Sequence, residues 1–183
     1  MKNLYINTCG KDVIIKYFKK TSIISEETVV GQKSNSQFIM PSIKKVLDGQ
    51  IPEGIVVVVG PGSFTGVRLG VTIAKTFAYI KNIPIRTVTS LDEIAISVNS
   101  KEKNVAIVEN NGYFVGTYDS DNLLIKELEY LSNEEFSIAN KDNKYFVTTE
   151  IRYDKVMSFA LKKEPENPHT IKPIYVKKIE VLK

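Results

Sequence analysis

Apolar positions open the chain in three short runs, 3–8, 12–18 and 22–30, rich in β-branched and aromatic residues and separated by Cys9-Gly10-Lys11 and Lys19-Lys20-Thr21. Connections that short force the runs to pair as antiparallel neighbours. The period then changes. Ile39, Met40, Ile43, Val46 and Leu47 recur at helical spacing, with Ser34-Asn35-Ser36 as capping residues before them and Gly49 beyond the end, which predicts a helix over 37–48. Pro41 is tolerable there only in or near the first turn. Next, Ile55 to Val59 is apolar at every position, the mark of a strand covered on both faces. It leads into Gly60-Pro61-Gly62-Ser63-Phe64-Thr65-Gly66, after which the pattern predicts a helix over 67–81, a strand over 85–88 and, capped by Ser90, a helix over 91–98.

A polar stretch, Asn99 to Asn104, separates this half from a second one. Strands are predicted over 105–109 and 113–118 around Asn110-Asn111-Gly112, a hairpin signal because Asn and Gly accept positive φ. A third strand over 123–130, a short helix opened by Ser132-Asn133-Glu134-Glu135, a strand over 145–149 and a helix over 153–163 follow. The tail, with Pro165, Pro168 and Pro173, is expected to be extended and to return as a strand over 174–176. The order β-β-β-α-β-α thus occurs twice and argues for two related lobes, 1–99 and a smaller 104–183.

The helix after the glycine-rich loop carries two stripes. Gly66, Gly70, Ala74 and Ala78 are small and fall four residues apart, whereas Leu69, Ile73, Phe77 and Ile80 are bulky. The bulky stripe is expected to cover the sheet and the small one to let another helix, from this chain or a partner, approach closely. The loop itself, with Gly62, Ser63, Phe64, Thr65 and Gly66 between a buried strand and a helix, is a candidate anion site. It lacks both the Gly-Lys-Ser/Thr ending of a Walker A loop and dinucleotide-type glycine spacing.

Composition narrows the chemistry. There is one cysteine, Cys9, and one histidine, His169, so a disulfide framework and a His/Cys zinc cluster are excluded. The formal charge of +4 rests on 22 lysines and three arginines, Arg68, Arg86 and Arg152, poor material for bidentate reading of nucleic acid. No apolar run approaches the ~20 residues of a membrane span, and a cytoplasmic location is expected.

The stretch Gly60-Pro61-Gly62-Ser63-Phe64-Thr65-Gly66-Val67-Arg68-Leu69-Gly70, with Thr89-Ser90-Leu91-Asp92-Glu93-Ile94-Ala95 downstream, resembles the TsaB (YeaZ) family. Supporting matches are Leu4-Tyr5-Ile6-Asn7-Thr8, Ser36-Gln37 with Pro41, and Lys172-Pro173-Ile174-Tyr175-Val176-Lys177. The resemblance implies an α/β, actin-like (ASKHA) fold of two RNase H-like lobes, each with a mixed sheet, the second lobe reduced. It further implies a scaffold without catalytic residues or metal, working in threonylcarbamoyl modification of the adenosine beside the anticodon of tRNA. The implied partners are a catalytic TsaD-like subunit and a TsaE-like ATPase, with self-pairing when those are absent and tRNA met only through the complex. ATP and Mg²⁺ would be used by the partner subunits and no cofactor is expected on this chain. Carried over by position, the docking surface comprises Ile39, Met40 and Ile43 from one helix and Val67, Arg68, Val71, Ala74, Lys75 and Ala78 from the next. On that basis Ala74→Arg should abolish docking and leave the monomer folded.

The chain departs from the family at several places. Asn7 stands where an Asp is usual, and an amide is a poorer partner for Mg²⁺ or for proton abstraction. Asn35 replaces a frequent His, and Val108-Glu109-Asn110-Asn111-Gly112-Tyr113 keeps only the glycine of the corresponding turn. An active phosphotransferase is the competing reading, but it needs paired carboxylates and a second phosphate loop. A peptidase would have to pair Ser63 with Lys75, more than two helical turns away.

Overall fold

A computed structural model describes residues 1–31, 36–147 and 150–176. Strands β1 (Lys2–Asn7), β2 (Val13–Lys19) and β3 (Ser22–Val29) form the expected antiparallel meander. Helix α1 (Ser36–Leu47) then crosses to β4 (Gly54–Val58), which pairs parallel to β1, and α2 (Phe64–Lys81) crosses to β5 (Ile85–Val88), parallel to β4. The sheet order is β3-β2-β1-β4-β5. Two tight strand pairings and two helical crossovers dictate that mixed order, because parallel neighbours need a long connection.

After α3 (Ser90–Ser97) the second half repeats the plan with β6 (Lys103–Glu109), β7 (Gly112–Tyr118), β8 (Leu124–Ser132), α4 (Asn133–Ala139), the two-residue β9 (Tyr145–Phe146) and α5 (Tyr153–Lys162). Its sheet runs β8-β7-β6-β9, with β6 and β9 parallel. The fold is therefore α/β with two mixed sheets, consistent with the actin-like, RNase H-like architecture expected.

The sheets are covered in a particular way. On β1, Tyr5 faces Glu93 of α3 and Tyr153 of α5, so Leu4, Ile6 and Thr8 point to the opposite face, where Thr8 meets α2. Helices α1 and α2 lie on that face. Helix α3, from the first half, buries Leu91, Ile94, Ala95 and Val98 against Val105, Phe114 and Tyr118 of the second sheet. Helix α5, from the second half, buries Val156, Met157 and Ala160 in the core of the first. The two halves thus exchange helices. Helix α4 closes the far face of the second sheet through Phe136, packed with Ala106 and Val115 and stacked on Tyr113 at 3.7 Å.

Several local expectations need correction. Helix α2 begins at Phe64, three residues earlier than the pattern predicts, because the Ser63 side chain caps it by accepting from Gly66 N. The cap of α3 is Thr89, which closes a reciprocal box with Asp92. Pro41 lies inside α1 rather than in its first turn, held there by burial of Ile39, Ile43 and Val46. The Asn110-Asn111 hairpin forms without any residue at positive φ. No strand forms over 174–176, where one hydrogen bond from Ile174 N to Val59 O replaces a ladder. The capping pair Ser34 and Asn35, the end of the strand predicted over 145–149, and Lys177 lie outside the described residues.

Candidate functional site

The loop after β4 is built by its neighbours. Val59 N donates to Val88 O at 2.9 Å, Ser63 N to Cys9 O at 2.7 Å, Ser90 N to Gly60 O at 2.9 Å and Ser90 Oγ to Pro61 O at 2.8 Å. The loop is thereby suspended between the end of β1 and the start of α3. Two glycines on α2 make this possible. A Cβ on Gly66 would lie 2.1 Å from Thr8 O, and one on Gly70 would lie 2.2 Å from Thr8 Oγ1; Thr8 Oγ1 itself donates to Gly66 O at 2.6 Å. Only glycine lets helix and strand approach so closely.

That packing reverses the expected roles of the two stripes on α2. Gly66, Gly70, Ala74 and Ala78 face the sheet and are buried, while Leu69, Ile73 and Phe77 are half-buried and Ile80 is 69 % exposed. The bulky stripe flanks that face, with Leu69, Ile73 and Phe77 still packed against the first core and Ile80 standing clear of it. Among the expected docking residues, Ile39, Ile43, Val67, Val71, Ala74 and Ala78 are buried in the monomer's own core, Met40 is half-exposed, Arg68 is exposed, and Lys75 is half-buried. Ala74→Arg is therefore expected to unfold the chain rather than probe a surface, since a buried alanine leaves no room for a guanidinium.

Of the candidate anion loop, Ser63, Phe64 and Thr65 are exposed, Gly62 is half-buried and Gly66 is buried. The N–H groups of Ser63 and Gly66 are already spent on Cys9 O and Ser63 Oγ, which leaves less of the loop's backbone for an anion. Arg68 lies over the Phe64 ring at 4.8 Å. Pro61, Gly62, Ser63, Phe64 and Arg68 form one wall of a cleft of about 1440 Å³, whose other wall carries Glu109, Asn110, Phe114 and Tyr130. Ser63 and Lys75 are each otherwise engaged, Ser63 in the helix cap and Lys75 with Ile171 O at 2.7 Å.

Position 7 ends β1, two residues before the Cys9 carbonyl that holds the loop. Asn7 Nδ2 donates to Glu93 Oε2 at 2.9 Å, and Asn7 Oδ1 accepts from Cys9 N at 2.9 Å. Tyr5 OH donates to the other oxygen of Glu93. Glu93 is buried, and burial pushes its carboxyl from the ordinary 4.5 up to about 8. Next to it, Asp92 accepts from Thr89 N at 2.8 Å and from Tyr118 OH at 2.9 Å; burial, with Asp92 alongside, pushes the Tyr118 phenol upward. Glu93 as a buried centre is what sequence reasoning missed. The available signal was an acidic residue on a helix whose every other position through Ile96 is apolar, small or capping.

Cys9 is buried with its thiol pushed up to about 11 by burial, an inert state. Among the described residues no three His, Cys, Asp or Glu side chains gather where they could hold a metal, and no helix is long and apolar enough to cross a membrane.

Comparison with known proteins adds the following. A family model described as TsaD, tRNA N6-adenosine threonylcarbamoyltransferase, matches residues 29–109. The chain is 38 % identical over 100 residues to the tRNA threonylcarbamoyladenosine biosynthesis protein TsaB of Bacillus subtilis, a match covering 52 % of this chain and 44 % of that one. It is 31 % identical over 97 residues to the Haemophilus influenzae protein of the same name, covering 46 % and 41 %. The match therefore spans less than half the length of these curated relatives. Among solved structures, YeaZ from Pseudomonas aeruginosa superposes with a TM-score of 0.75 at 16 % identity, over 95 % of this chain and 99 % of that one, a likeness of fold.

Proposed function

We propose, on the premise that this chain is of the TsaB (YeaZ) family, that it is a non-catalytic scaffold subunit for threonylcarbamoyladenosine synthesis on tRNA, docking and supporting a TsaD-like catalytic subunit. The observation that carries this reading is the partly exposed apolar margin of α1 and α2. Ile80 is exposed on α2, Leu69, Ile73 and Phe77 are half-buried against the core along the same side, and Met40 is half-exposed on α1 over the same face of the sheet. A helix face of this kind is suited to burial by another chain. In this reading Met40 and Arg68 touch the partner, while Ile39, Ile43, Val67, Val71, Ala74 and Ala78 shape the surface from beneath.

The interior supports the absence of chemistry. Asn7 is held by Glu93 and Cys9 N and presents an amide, a poorer cation ligand than a carboxylate and no proton acceptor. A TsaE-like ATPase joins the assembly, ATP and Mg²⁺ are used by the partners, tRNA is met through the complex, and the chain self-pairs through the same helices when alone. Its place of work is the cytoplasm, and its two lobes, 1–99 and 104–183, act as one support. Such a subunit works by favouring its partner's competent conformation, and the partner stabilises it in return.

Light scattering of the chain with its host's TsaD-like protein tests this. A one-to-one complex that Ile80→Arg, at an exposed position, disrupts about a hundredfold with the variant's fold intact is the expected outcome. A monomer that ignores that partner and hydrolyses nucleotide would replace the scaffold with an enzyme working at the cleft.

A further inference from the structure

The chain beyond α5 follows a defined path. Arg86 Nε donates to Lys163 O at 2.7 Å, Glu166 N donates to Ile85 O at 2.8 Å, and the Glu166 carboxylate accepts from Thr87 N at 3.0 Å and Thr87 Oγ1 at 2.6 Å. This makes one antiparallel bridge on β5, the edge strand of the first sheet. After a turn at Asn167–Thr170 the segment runs back along α2, against the helix direction. The His169 ring meets Tyr79 edge-on at 4.9 Å, Lys75 Nζ donates to Ile171 O at 2.7 Å, and Tyr175 packs on Phe64 at 5.3 Å. Tyr79, Lys75 and Phe64 lie in the last, middle and first turns of α2.

The far end of this segment is tied to the loop. Ile174 N donates to Val59 O at 2.8 Å, and Ile174 O lies 2.9 Å from where a Gly60 Cβ would stand. Between its two ends the segment buries Ile171 in the first core. Lys75 ties it to the middle of α2, donating to Ile171 O at 2.7 Å and to His169 O at 3.5 Å.

We propose that residues 164–176 form a strap pinned by Lys75, and that Lys75 is a positioning residue for the loop 60–66. The pin holds the strap along α2, and the strap's end fixes Val59 and Gly60 and covers Phe64. Lifting the strap uncovers the edge of β5 and releases Phe64 together, so the loop and the sheet edge open as one unit. The assignment does not depend on what docks against the outer face of α2.

Hydrogen exchange followed by mass spectrometry on the full chain, without any partner, tests it. Lys75→Met keeps the aliphatic stem and removes the donor. It is expected to speed exchange over 59–66 and 166–174 about tenfold, as loss of the Lys75 hydrogen bonds in a locally opening unit allows. Exchange in β6 and β7 should stay at the parent rate, and Lys75→Arg should restore protection. Parent-like exchange over 59–66 in Lys75→Met overturns the proposal, including the case in which only 166–174 accelerates. If Lys75→Met loses protection throughout, Tyr175→Ala makes the same test at an exposed ring. Faster exchange over 60–66 then supports the strap, and parent-like exchange overturns it.

Discussion

In the first sheet, β1 and β4 are buried at nearly every position, whereas in the second β8 is exposed over its first half and β9 is two residues long. The two halves share an element order and divide the work unequally. The first half must bring α2 within bonding distance of Thr8 and hang a loop between β1 and α3, so many of its side chains have one permitted size. The second half supplies a cover for α3 and a source for α5, which many sequences can do.

The sharpest way to break this comparison is to fill the close approach. Gly66→Ala places a Cβ against the Thr8 carbonyl, a backbone atom fixed in the central strand, and is expected to cost at least ~3 kcal/mol of stability in urea denaturation, the upper range for overpacking. Next come paired truncations. Ile6→Ala in the first core should cost about 3 to 4 kcal/mol. Phe136→Ala, in the small satellite core under α4, should cost less than a typical buried phenylalanine, about 2 kcal/mol, because its half-covered surroundings can collapse. Equal losses at the two sites would show that the second half is as constrained as the first.

The gentlest perturbation is pH. The Glu93 carboxyl is raised from 4.5 to about 8 in the folded state, so the unfolded chain releases that proton first. Between those values the folded state holds one more proton than the unfolded, and stability falls as pH rises through this window. Below about pH 4.5 both states hold the proton, so the slope vanishes and the contribution is fully present. Glu93→Gln, which can still offer an oxygen to Asn7 and an amide to the Tyr5 oxygen, should flatten that slope between pH 5 and 8 in thermal melts. An unchanged slope would place the titration elsewhere.

Much of the fold was legible because period and turn chemistry are local. The antiparallel meander, the apolar run at Ile55 to Val59 and the helix over α5 follow from spacing alone. The orientation of α2 was not legible, because two stripes of different size are equally consistent with a helix. What decides between them is the Thr8 carbonyl 58 residues upstream of Gly66, a distance no window spans. The same holds for Glu93, whose partners Tyr5 and Asn7 lie 88 and 86 residues away. The strap along α2 escaped notice for a related reason. Its prolines marked an extended tail correctly, yet Lys75 was carried by position to the docking surface and not to that tail.

The exchange of α3 and α5 between the sheets has a consequence for handling the molecule in pieces. Cutting the chain within 99–104 gives one fragment that carries α3 without the sheet it covers, and another that carries α5 without the core it fills. Each fragment holds the other's missing part, so neither should be purified as a stable product by itself. Co-expressed, the two are expected to find one another, and their reassembly would turn this fold into a two-piece reporter whose signal requires both.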